Sequence, residues 1–272
     1  MSGTLFVVST PIGNMRDITF RAVETLKEVD LILCEDTRVT SKLLHRYDIS
    51  TPLESFFAGN ERKRADRACE NLASGKSLAL VTDAGSPCVS DPGYLLVRKC
   101  REKGIDVVPI PGASALTTAL SVSGLPASRV LFLGFSPRRP AERRRFLEGL
   151  RDDPSTLVFY EAPHRIRAFL PAAVEILHGR ECVICRELTK RFESVGPLED
   201  IEGIPERGEF VVLFGPPAEK EKRPVAPEEA QRLVAELTAS GVEEKEALKV
   251  VAGKSGMSRR EIYRMVKVKK EK

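Results

Sequence analysis

The sequence predicts an α/β protein with two α/β domains and a small helical domain at its carboxyl-terminal end. Short apolar segments alternate with amphipathic helical patterns up to about residue 215, and glycine- and proline-containing loops follow the apolar segments. The chain has 272 residues, which is more than one typical domain requires. A charged stretch at 219–224 then precedes three short helical patterns. We therefore expect domains at 1–115, 116–217 and 225–272.

The first domain begins with a βαβ pattern. An apolar strand at 5–9 leads to an amphipathic helix with Ala22, Leu26 and Val29 on one face, and a second strand follows at 31–34. We expect a sheet of about five mostly parallel strands, since the same alternation continues. The further elements are predicted as a helix at 39–46, a strand at 53–57, a helix at 61–73, a strand at 77–82, a helix at 91–103 and a strand at 106–110.

The stretch 77–93 is central to the functional prediction. Its apolar strand runs into a loop with Gly85 and Pro87, and Asp91 is predicted to cap a helix whose first residue is Pro92. Ligands of open α/β sheets bind at the carboxyl ends of the strands, where free N–H groups favour an anion. A tight turn without a ligand is the alternative.

The second domain is predicted to contain a mixed sheet, because some of its strands are joined by short connections. We expect strands at 130–135, 156–160, 182–188 and 209–214, a helix near 164–177, and a helix or mobile loop at 138–151.

The last domain carries three apolar stripes at helical spacing. Ser258 and Glu261 form a capping box that opens the third helix, and we expect Ile262, Tyr263 and Val266 to face inward. A basic third helix is typical of a helix-turn-helix, but an appendage that only packs or dimerises is an equal alternative.

Composition and missing motifs exclude several classes. Hydrophobic residues make up 42% and charged residues 30% of a chain in which no apolar run reaches the roughly 20 residues of a membrane span. The first four residues lead directly into a predicted strand, so we expect no signal peptide and a cytoplasmic location. We expect no metal, since Cys182 and Cys185 would point to opposite faces of a strand. Dinucleotide and P-loop fingerprints are absent, and the three histidines form no apparent Ser-His-Asp set.

The net charge of +4 is unevenly distributed. Arginines dominate 138–151, and 254–272 holds eight lysines or arginines against two glutamates. Two such patches indicate a polyanionic partner. A solvated helix face with a basic tail is the alternative for each patch.

Eight motifs occur in order within about 4–215. They are STPIGN at 9–14, EDTR at 35–38, TDAGSP at 82–87, SDPG at 90–93, PGAS at 111–114, SGLP at 123–126, YEAPHR at 160–165 and RELTK at 186–190. Together they resemble the bacterial ribose 2′-O-methyltransferases that act on cytidine in 16S ribosomal RNA, a branch of the tetrapyrrole methylase family. The tail is similar to the small helical domain of many members.

The resemblance implies a class III S-adenosylmethionine methyltransferase fold with the cofactor in a cleft between the two α/β domains. Main-chain groups of strand-end loops would hold much of the cofactor, where small residues let the backbone approach closely. The implied cofactor contacts are Pro11, Gly13, Asp83, Gly85, Ser86, Pro87, Val89, Ser114, Ala115, Tyr160 and Leu213.

The implied reaction moves the sulfonium methyl group onto a ribose 2′-oxygen, and alignment of the two reactants supplies much of the acceleration. We hypothesise that Glu187 and Lys190 activate the hydroxyl as a base or as a cation that lowers its pKa; an ion-paired strand end is the alternative. The substrate would be a single strand of 16S ribosomal RNA, free or within the small subunit, and the resemblance implies a homodimer. The expected RNA contacts are Arg38, Arg138, Arg139, Arg143, Arg144, Arg186, Arg259, Arg260 and Arg264.

Two other functions are compatible with parts of the sequence. One is a methylase of the same superfamily that acts on a corrin or on a protein side chain, as diphthine synthase does; the basic patches disfavour it. The other is a non-enzymatic helix-turn-helix regulator with a ligand-sensing α/β body. A sensor has no need of three strand-end loops together with the charged residues of the second domain.

Overall fold

The computed structural model describes residues 2–218 and 225–267. The chain divides into two compact units, Met1–Pro217 and Ala218–Lys272. Both α/β sheets belong to the first unit and the three carboxyl-terminal helices to the second. The charged stretch 219–224 and the last basic residues, 268–272, lie outside the described residues.

The first sheet has the order β3-β2-β4-β1-β5, and all its strand pairs are parallel. The central strand is buried along its whole length, as expected for a parallel sheet covered on both faces. Helices α3 and α4 pack on one face and helices α1 and α2 on the other. The elements are β1 (Leu5–Val8), α1 (Phe20–Glu28), β2 (Leu31–Cys34), α2 (Thr37–Arg46), β3 (Leu53–Ser55), α3 (Glu61–Ala73), β4 (Leu78–Leu80), α4 (Tyr94–Glu102) and β5 (Val107–Ile110).

The predicted start of helix α4 at Asp91 is wrong. The helix begins at Tyr94, after Gly93 with a φ of 131°. Cys88 and Ser90 adopt left-handed conformations, with φ of 68° and 66°, so the chain turns again before the helix starts. The carboxylate of Glu61 caps the helix instead, accepting hydrogen bonds from the N–H groups of Gly93 and Leu95 at 3.0 and 3.1 Å.

The second sheet is mixed, as predicted, with the order β6-β7-β10-β8-β9. Strands β6 and β7 are parallel and the other pairs antiparallel. Helix α5 and strand β9 were not predicted, and segment 138–151 contains helix α6. The elements are α5 (Ala115–Val122), β6 (Val130–Phe135), α6 (Pro140–Glu148), β7 (Thr156–Glu161), α7 (Pro163–Ile176), β8 (Cys182–Arg186), β9 (Ser194–Pro197) and β10 (Phe210–Phe214).

Strand β8 ends at Arg186, before the predicted end at residue 188. Glu187 and Thr189 have φ of 51° and 65°, so the chain leaves the sheet in a tight loop. Within the strand, Cys182 packs in the core under helix α7, whereas Cys185 packs in the core facing helix α5. The predicted opposite orientation of these two thiols is therefore confirmed.

A buried arginine ties together the loops that flank the second sheet. The Arg180 guanidinium donates hydrogen bonds to five backbone carbonyls, and burial lowers its pKa. Removing it would leave these carbonyls without their donor in a dry environment. The acceptors are Leu150, Arg151, Asp153, Ser155 and Gly215.

The second unit consists of helices α8 (Pro227–Ala239), α9 (Glu244–Ser255) and α10 (Arg259–Lys267) around one core. The predicted capping box is confirmed: Glu261 N donates to Ser258 Oγ at 3.2 Å, and Ser258 N donates to Glu261 Oε2 at 2.7 Å. Tyr263, predicted to face inward, is 49% exposed. The helical period places Ile262 and Val266 on the core face, and Tyr263, which follows Ile262, therefore points away from the core. Among the described helices, none combines the length and apolar character needed to cross a membrane.

Candidate active site

Three loops meet at the carboxyl ends of β1, β4 and β5. Thr10 and Gly85 exchange backbone hydrogen bonds of 2.8 and 3.1 Å, and the hydroxyls of Ser9 and Ser86 lie 2.8 Å apart. Gly112 of the third loop approaches Ser9 so closely that a Cβ at this position would lie 3.0 Å from the Ser9 Cβ. The parallel strand order therefore brings together loops that are about a hundred residues apart in sequence.

A pocket of about 350 Å³ opens where these loops face the second sheet. Its walls are mainly apolar, with a few polar side chains, a composition and size typical of small-molecule sites. Six of the predicted cofactor residues line it: Gly85, Ser86, Val89, Ser114, Ala115 and Tyr160. The second sheet adds Phe135, Glu161, Cys185, Phe210 and Val211, and we call this cavity the first pocket.

Two backbone features shape the first pocket. Cys88 and Ser90 hold left-handed conformations that cost about 1–3 kcal/mol each, so the surrounding structure must hold their loop in this shape. Helix α5 begins at Ala115 on the pocket wall, and the Ser114 side chain makes no capping hydrogen bond. N–H groups of this first turn can therefore receive an anionic group.

A second pocket of about 370 Å³ adjoins the first. The two share Ile12, Ala84 and Glu209 in their walls. Three residues predicted to contact the cofactor, Pro11, Gly13 and Asp83, line this second pocket and not the first. Its other walls are Thr10, Met15, Val39, Thr40, Leu43, Thr82 and Lys190.

Lys190 is fixed at the edge of the second pocket. Its Nζ lies 2.9 Å from Glu187 Oε1 and 3.0 Å from Glu209 Oε2. Although burial acts in the other direction, these two carboxylates hold the pKa of Lys190 above its ordinary value. Despite its own partial burial, Glu187 has a lowered pKa because Lys190 and the Glu209 N–H donate to it. The raised pKa keeps Lys190 protonated. Of the two roles in our hypothesis, this favours a positive charge that lowers the pKa of the hydroxyl over a general base.

The loop that carries Lys190 is held by the first strand-end loop. Asn14 N donates to Thr189 Oγ1 at 3.0 Å. Gly13 packs so tightly here that an added Cβ would lie 2.5 Å from Lys190 Cγ. On the opposite side, a Cβ on Gly208 would lie 2.4 Å from Glu187 Cγ, and the φ of Gly208 is +87°. A side chain at either position would therefore collide with a member of the Glu187–Lys190 pair.

Carboxylates gather where the two pockets adjoin. Burial, followed by repulsion from Glu35 and Asp83, raises the pKa of Asp91 on the first pocket to about 6. Burial also raises the pKa of Asp83 on the second pocket and of Glu35, which accepts a long hydrogen bond of 3.5 Å from Thr82. Groups with perturbed pKa in a cleft are typical of functional sites.

Sequence reasoning missed part of this site. It assigned Asp91 only to helix capping and did not single out Glu209 or Glu161. The signal for Glu209 was weak: it precedes an apolar strand and follows a glycine. Glu161 belongs to a recognised motif; it is buried at the wall of the first pocket, where it pairs with Arg165 and accepts a hydrogen bond from Ser136.

Two predicted cofactor contacts are not on the walls of either pocket. Pro87 belongs to the loop that follows β4, but it is buried and lines neither pocket. Leu213 is completely buried, because helix α5 packs over this part of β10. The interpretation of Leu213 as a cofactor wall is corrected to a core residue beneath the pocket.

The predicted RNA-contacting arginines differ in accessibility. Arg38 has an 87% exposed side chain beside Val39 of the second pocket and pairs with Asp36. Arg143 is only 8% exposed, because it faces the inner side of helix α6, and its assignment to an RNA surface is wrong. The others lie at the surface: Arg138 and Arg139 are exposed, Arg144 pairs with Glu148 and Glu175, Arg186 donates to the Arg207 carbonyl at 2.8 Å, and Arg259, Arg260 and Arg264 are exposed on helix α10.

Comparison with known proteins gives the family. Residues 4–202 match the family model described as Tetrapyrrole (Corrin/Porphyrin) Methylases. A Halalkalibacterium halodurans protein named ribosomal RNA small subunit methyltransferase I is 44% identical over 96% of this chain and 93% of its own. A relative of the same name from Leptospira biflexa is 47% identical over 78% of this chain and 90% of its own.

Solved structures share the fold at lower identity. A diphthine synthase superimposes with a TM-score of 0.61 and 16% identity over 79% of this chain and 90% of its own. A Thermus thermophilus uroporphyrin-III C-methyltransferase complexed with S-adenosylhomocysteine gives a TM-score of 0.56 and 18% identity over 78% of this chain and 97% of its own. The predicted fold class is confirmed. Because the family model spans most of the chain and relatives align over nearly all of it, this methyltransferase belongs to the tetrapyrrole methylase family.

Proposed function

We propose that the protein transfers a methyl group from S-adenosylmethionine to the ribose 2′-hydroxyl of a cytidine in 16S ribosomal RNA. Two adjoining pockets with a shared wall suit a reaction between two bound molecules. The observation that carries the choice of acceptor is the 44% identity, over 96% of the chain, to a relative named for small-subunit ribosomal RNA.

The first pocket fits the methyl donor. Its volume and apolar walls suit an adenosine, with Val89 and Tyr160 as side-chain walls. The first turn of helix α5 at Ser114 and Ala115 would receive the carboxylate of the donor. Gly85 and Ser86 would offer main-chain groups at close approach. When bound, S-adenosylmethionine supplies a methyl group on a positively charged sulfur, which is already a good leaving group.

The second pocket fits the acceptor nucleotide. Met15, Val39 and Leu43 form an apolar wall against which a base can pack, and Arg38 lies beside it, exposed for a phosphate. The nucleotide must leave any helical stack to enter, so a single-stranded or flipped segment is the expected form. We also propose that Arg138, Arg139 and Arg186 contact the RNA substrate.

Activation of the hydroxyl is assigned to charged groups of the second pocket. The Lys190 ammonium would stabilise negative charge that develops on the 2′-oxygen, and Glu187 is the positioning residue that holds it. Asp83 would receive the proton of the hydroxyl, because burial raises its pKa and makes it a better proton acceptor than Glu187, whose pKa is lowered.

The resemblance to the bacterial enzymes supports three further parts of the proposal. We infer a cytoplasmic enzyme, a homodimer, and an acceptor that is either free 16S ribosomal RNA or the RNA within an assembling small subunit. Sedimentation of the purified protein tests the dimer, and comparison of naked RNA with isolated subunits tests the form of the acceptor.

The proposal is tested by incubating the purified protein with isotope-labelled S-adenosylmethionine and ribosomal RNA from cells that lack the protein. Nuclease digestion and mass mapping should locate one methyl group on a cytidine ribose. Label on a base, or none on RNA with label on a tetrapyrrole, would contradict it. Binding to duplex DNA without any methyl transfer would instead support the regulator.

A further inference from the structure

The second unit separates its charges along the chain. Residues 226–250 contain six acidic and three basic residues, whereas residues 251–267 contain five basic residues and one acidic residue. Helix α10 carries four basic residues and one acidic residue, whereas helices α8 and α9 together carry five acidic and four basic residues. One side of a small helical unit is therefore a candidate surface for a polyanion.

Helix α10 presents these charges on a fixed face. Ile262 is completely buried in the core of the unit, which sets the rotation of the helix. Arg259, Arg260 and Arg264 are exposed, and the carboxylate of Glu261 is engaged by the capping box. The three arginines are thus held on the outer side of a packed helix and not on a frayed end.

An aromatic side chain lies among the basic residues. Tyr263 is 49% exposed, and the Nζ of Lys267 lies 5.9 Å from its ring centre. Lys267 also pairs with Glu244 at 2.9 Å, which fixes its position beside the ring. An exposed ring flanked by arginines is the combination that binds single-stranded nucleic acid, because bases stack on the ring and phosphates bind the guanidinium groups.

Comparison of lengths indicates that this unit is not needed for the shared chemistry. The family model ends at residue 202, before the unit begins. The Leptospira biflexa relative bears the ribosomal RNA methyltransferase name, yet it aligns with only 78% of this chain over 90% of its own length. The Halalkalibacterium halodurans relative of the same name aligns with 96% of this chain, so relatives that share this name differ in how much of the chain they match.

We propose that the α10 face, defined as Arg259, Arg260, Tyr263 and Arg264, is an accessory site for single-stranded RNA. It raises the affinity for the RNA substrate and takes no part in methyl transfer. The inference rests on the proposed function, since it concerns how the same substrate is held.

The test compares two triple variants of the full chain. R259Q/R260Q/R264Q removes three charges from the α10 face, and the matched control R232Q/K245Q/K249Q removes three charges from helices α8 and α9 of the same unit. Fluorescence anisotropy with a labelled single-stranded RNA of about 20 nucleotides gives affinity across a salt series. Thermal unfolding verifies that both variants are folded.

The α10 variant should bind the RNA about tenfold more weakly. The slope of the logarithm of its binding constant against the logarithm of the salt concentration should become shallower by about two, because each phosphate contact on a single strand contributes roughly 0.7 to that slope. Its KM for RNA should rise while kcat at saturating RNA stays within about twofold. Tyr263→Ala should weaken binding by about fivefold or more without changing the salt dependence, since it removes stacking alone. The control variant should resemble the wild type.

Equal weakening by both triple variants would overturn the proposal, because the effect would then come from total charge. A lower kcat with unchanged KM, or a preference for a duplex DNA probe over the RNA, would overturn it as well. Failure of the underlying function is distinguishable, because the wild-type protein would then methylate no RNA at all.

Discussion

Replacing Gly13 with alanine tests how tightly the first strand-end loop holds the Lys190 loop. The added Cβ would lie 2.5 Å from Lys190 Cγ, 2.8 Å from Thr189 Oγ1 and 3.1 Å from the Leu188 carbonyl oxygen. Thr189 cannot move freely, because it accepts the Asn14 N–H and holds a left-handed conformation with φ of 65°. The loop must therefore shift as a whole.

The expected cost has two parts. Overpacking of this kind lowers the free energy of unfolding by about 1–3 kcal/mol. A displacement of Lys190 near 1 Å lowers the rate of methyl transfer by about 100-fold, since a charge aimed at a reacting atom depends on its position. Affinity for S-adenosylhomocysteine should stay within about twofold of wild type, because Gly13 does not line the first pocket.

Urea unfolding, calorimetry and single-turnover methyl transfer at saturating cofactor measure these effects. Gly196→Ala in strand β9 is the matched control, since its added Cβ would meet no atom within 4 Å. A Gly13→Ala protein with wild-type stability and rate would refute the reasoning. So would an equal loss in the control.

Three further predictions concern single side chains. Lys190→Met should lower the single-turnover rate about 100-fold with unchanged affinity for S-adenosylhomocysteine, whereas Lys190→Arg should keep part of the activity because it keeps the charge; a wild-type rate in the Met variant would contradict the role of the cation. Asp91→Asn should raise the free energy of unfolding at pH 7. Because folding raises the pKa of Asp91 from 3.8 to about 6, its carboxyl stabilises the fold most at low pH and this contribution is lost as the pH rises to about 6. The gain should be about 1–2 kcal/mol, allowing for partial exposure, and should vanish near pH 3 in urea titrations at each pH. Arg180→Ala should cost about 3–5 kcal/mol in urea unfolding at neutral pH, since five carbonyls lose their donor. A loss below about 1 kcal/mol would mean that water replaces the guanidinium.

The sequence predicted the first sheet well because its strands are buried on both faces. Such strands are short apolar runs bounded by turn residues, as Leu78–Leu80 is, and they are recognisable without any tertiary information. The amphipathic helices between them have clear caps, such as Thr19, whose side chain accepts the Ala22 N–H at 3.1 Å. The elements that local pattern could not predict were strand β9, which is mostly exposed and contains glycine and proline, and helix α5, which is mostly small residues.

The candidate site was harder to predict, because tertiary geometry decides it. Gly13 and Asp83 belong to recognisable motifs, but only the structure assigns them to the second pocket. The helix start at Asp91 could not be read correctly, because the cap comes from Glu61 of another helix. Likewise, the burial of Arg143 depends on which side of helix α6 faces the sheet. Sequence gives residue types and spacing, whereas side-chain accessibility follows from packing.

A pair of matched substitutions tests the central claim that the donor occupies the first pocket and the acceptor the second. Val89 and Val39 are 39% and 37% exposed, and each lines only one of the two pockets. Tryptophan at either position would fill the cavity that it lines without disturbing the core.

The decisive measurement is calorimetric titration of S-adenosylhomocysteine into Val89→Trp and Val39→Trp. We predict that Val89→Trp lowers the affinity at least about 100-fold, a change of about 2.7 kcal/mol, whereas Val39→Trp binds as the wild type does but no longer methylates RNA. Loss of affinity in Val39→Trp with normal binding in Val89→Trp, or normal binding in both, would contradict the account.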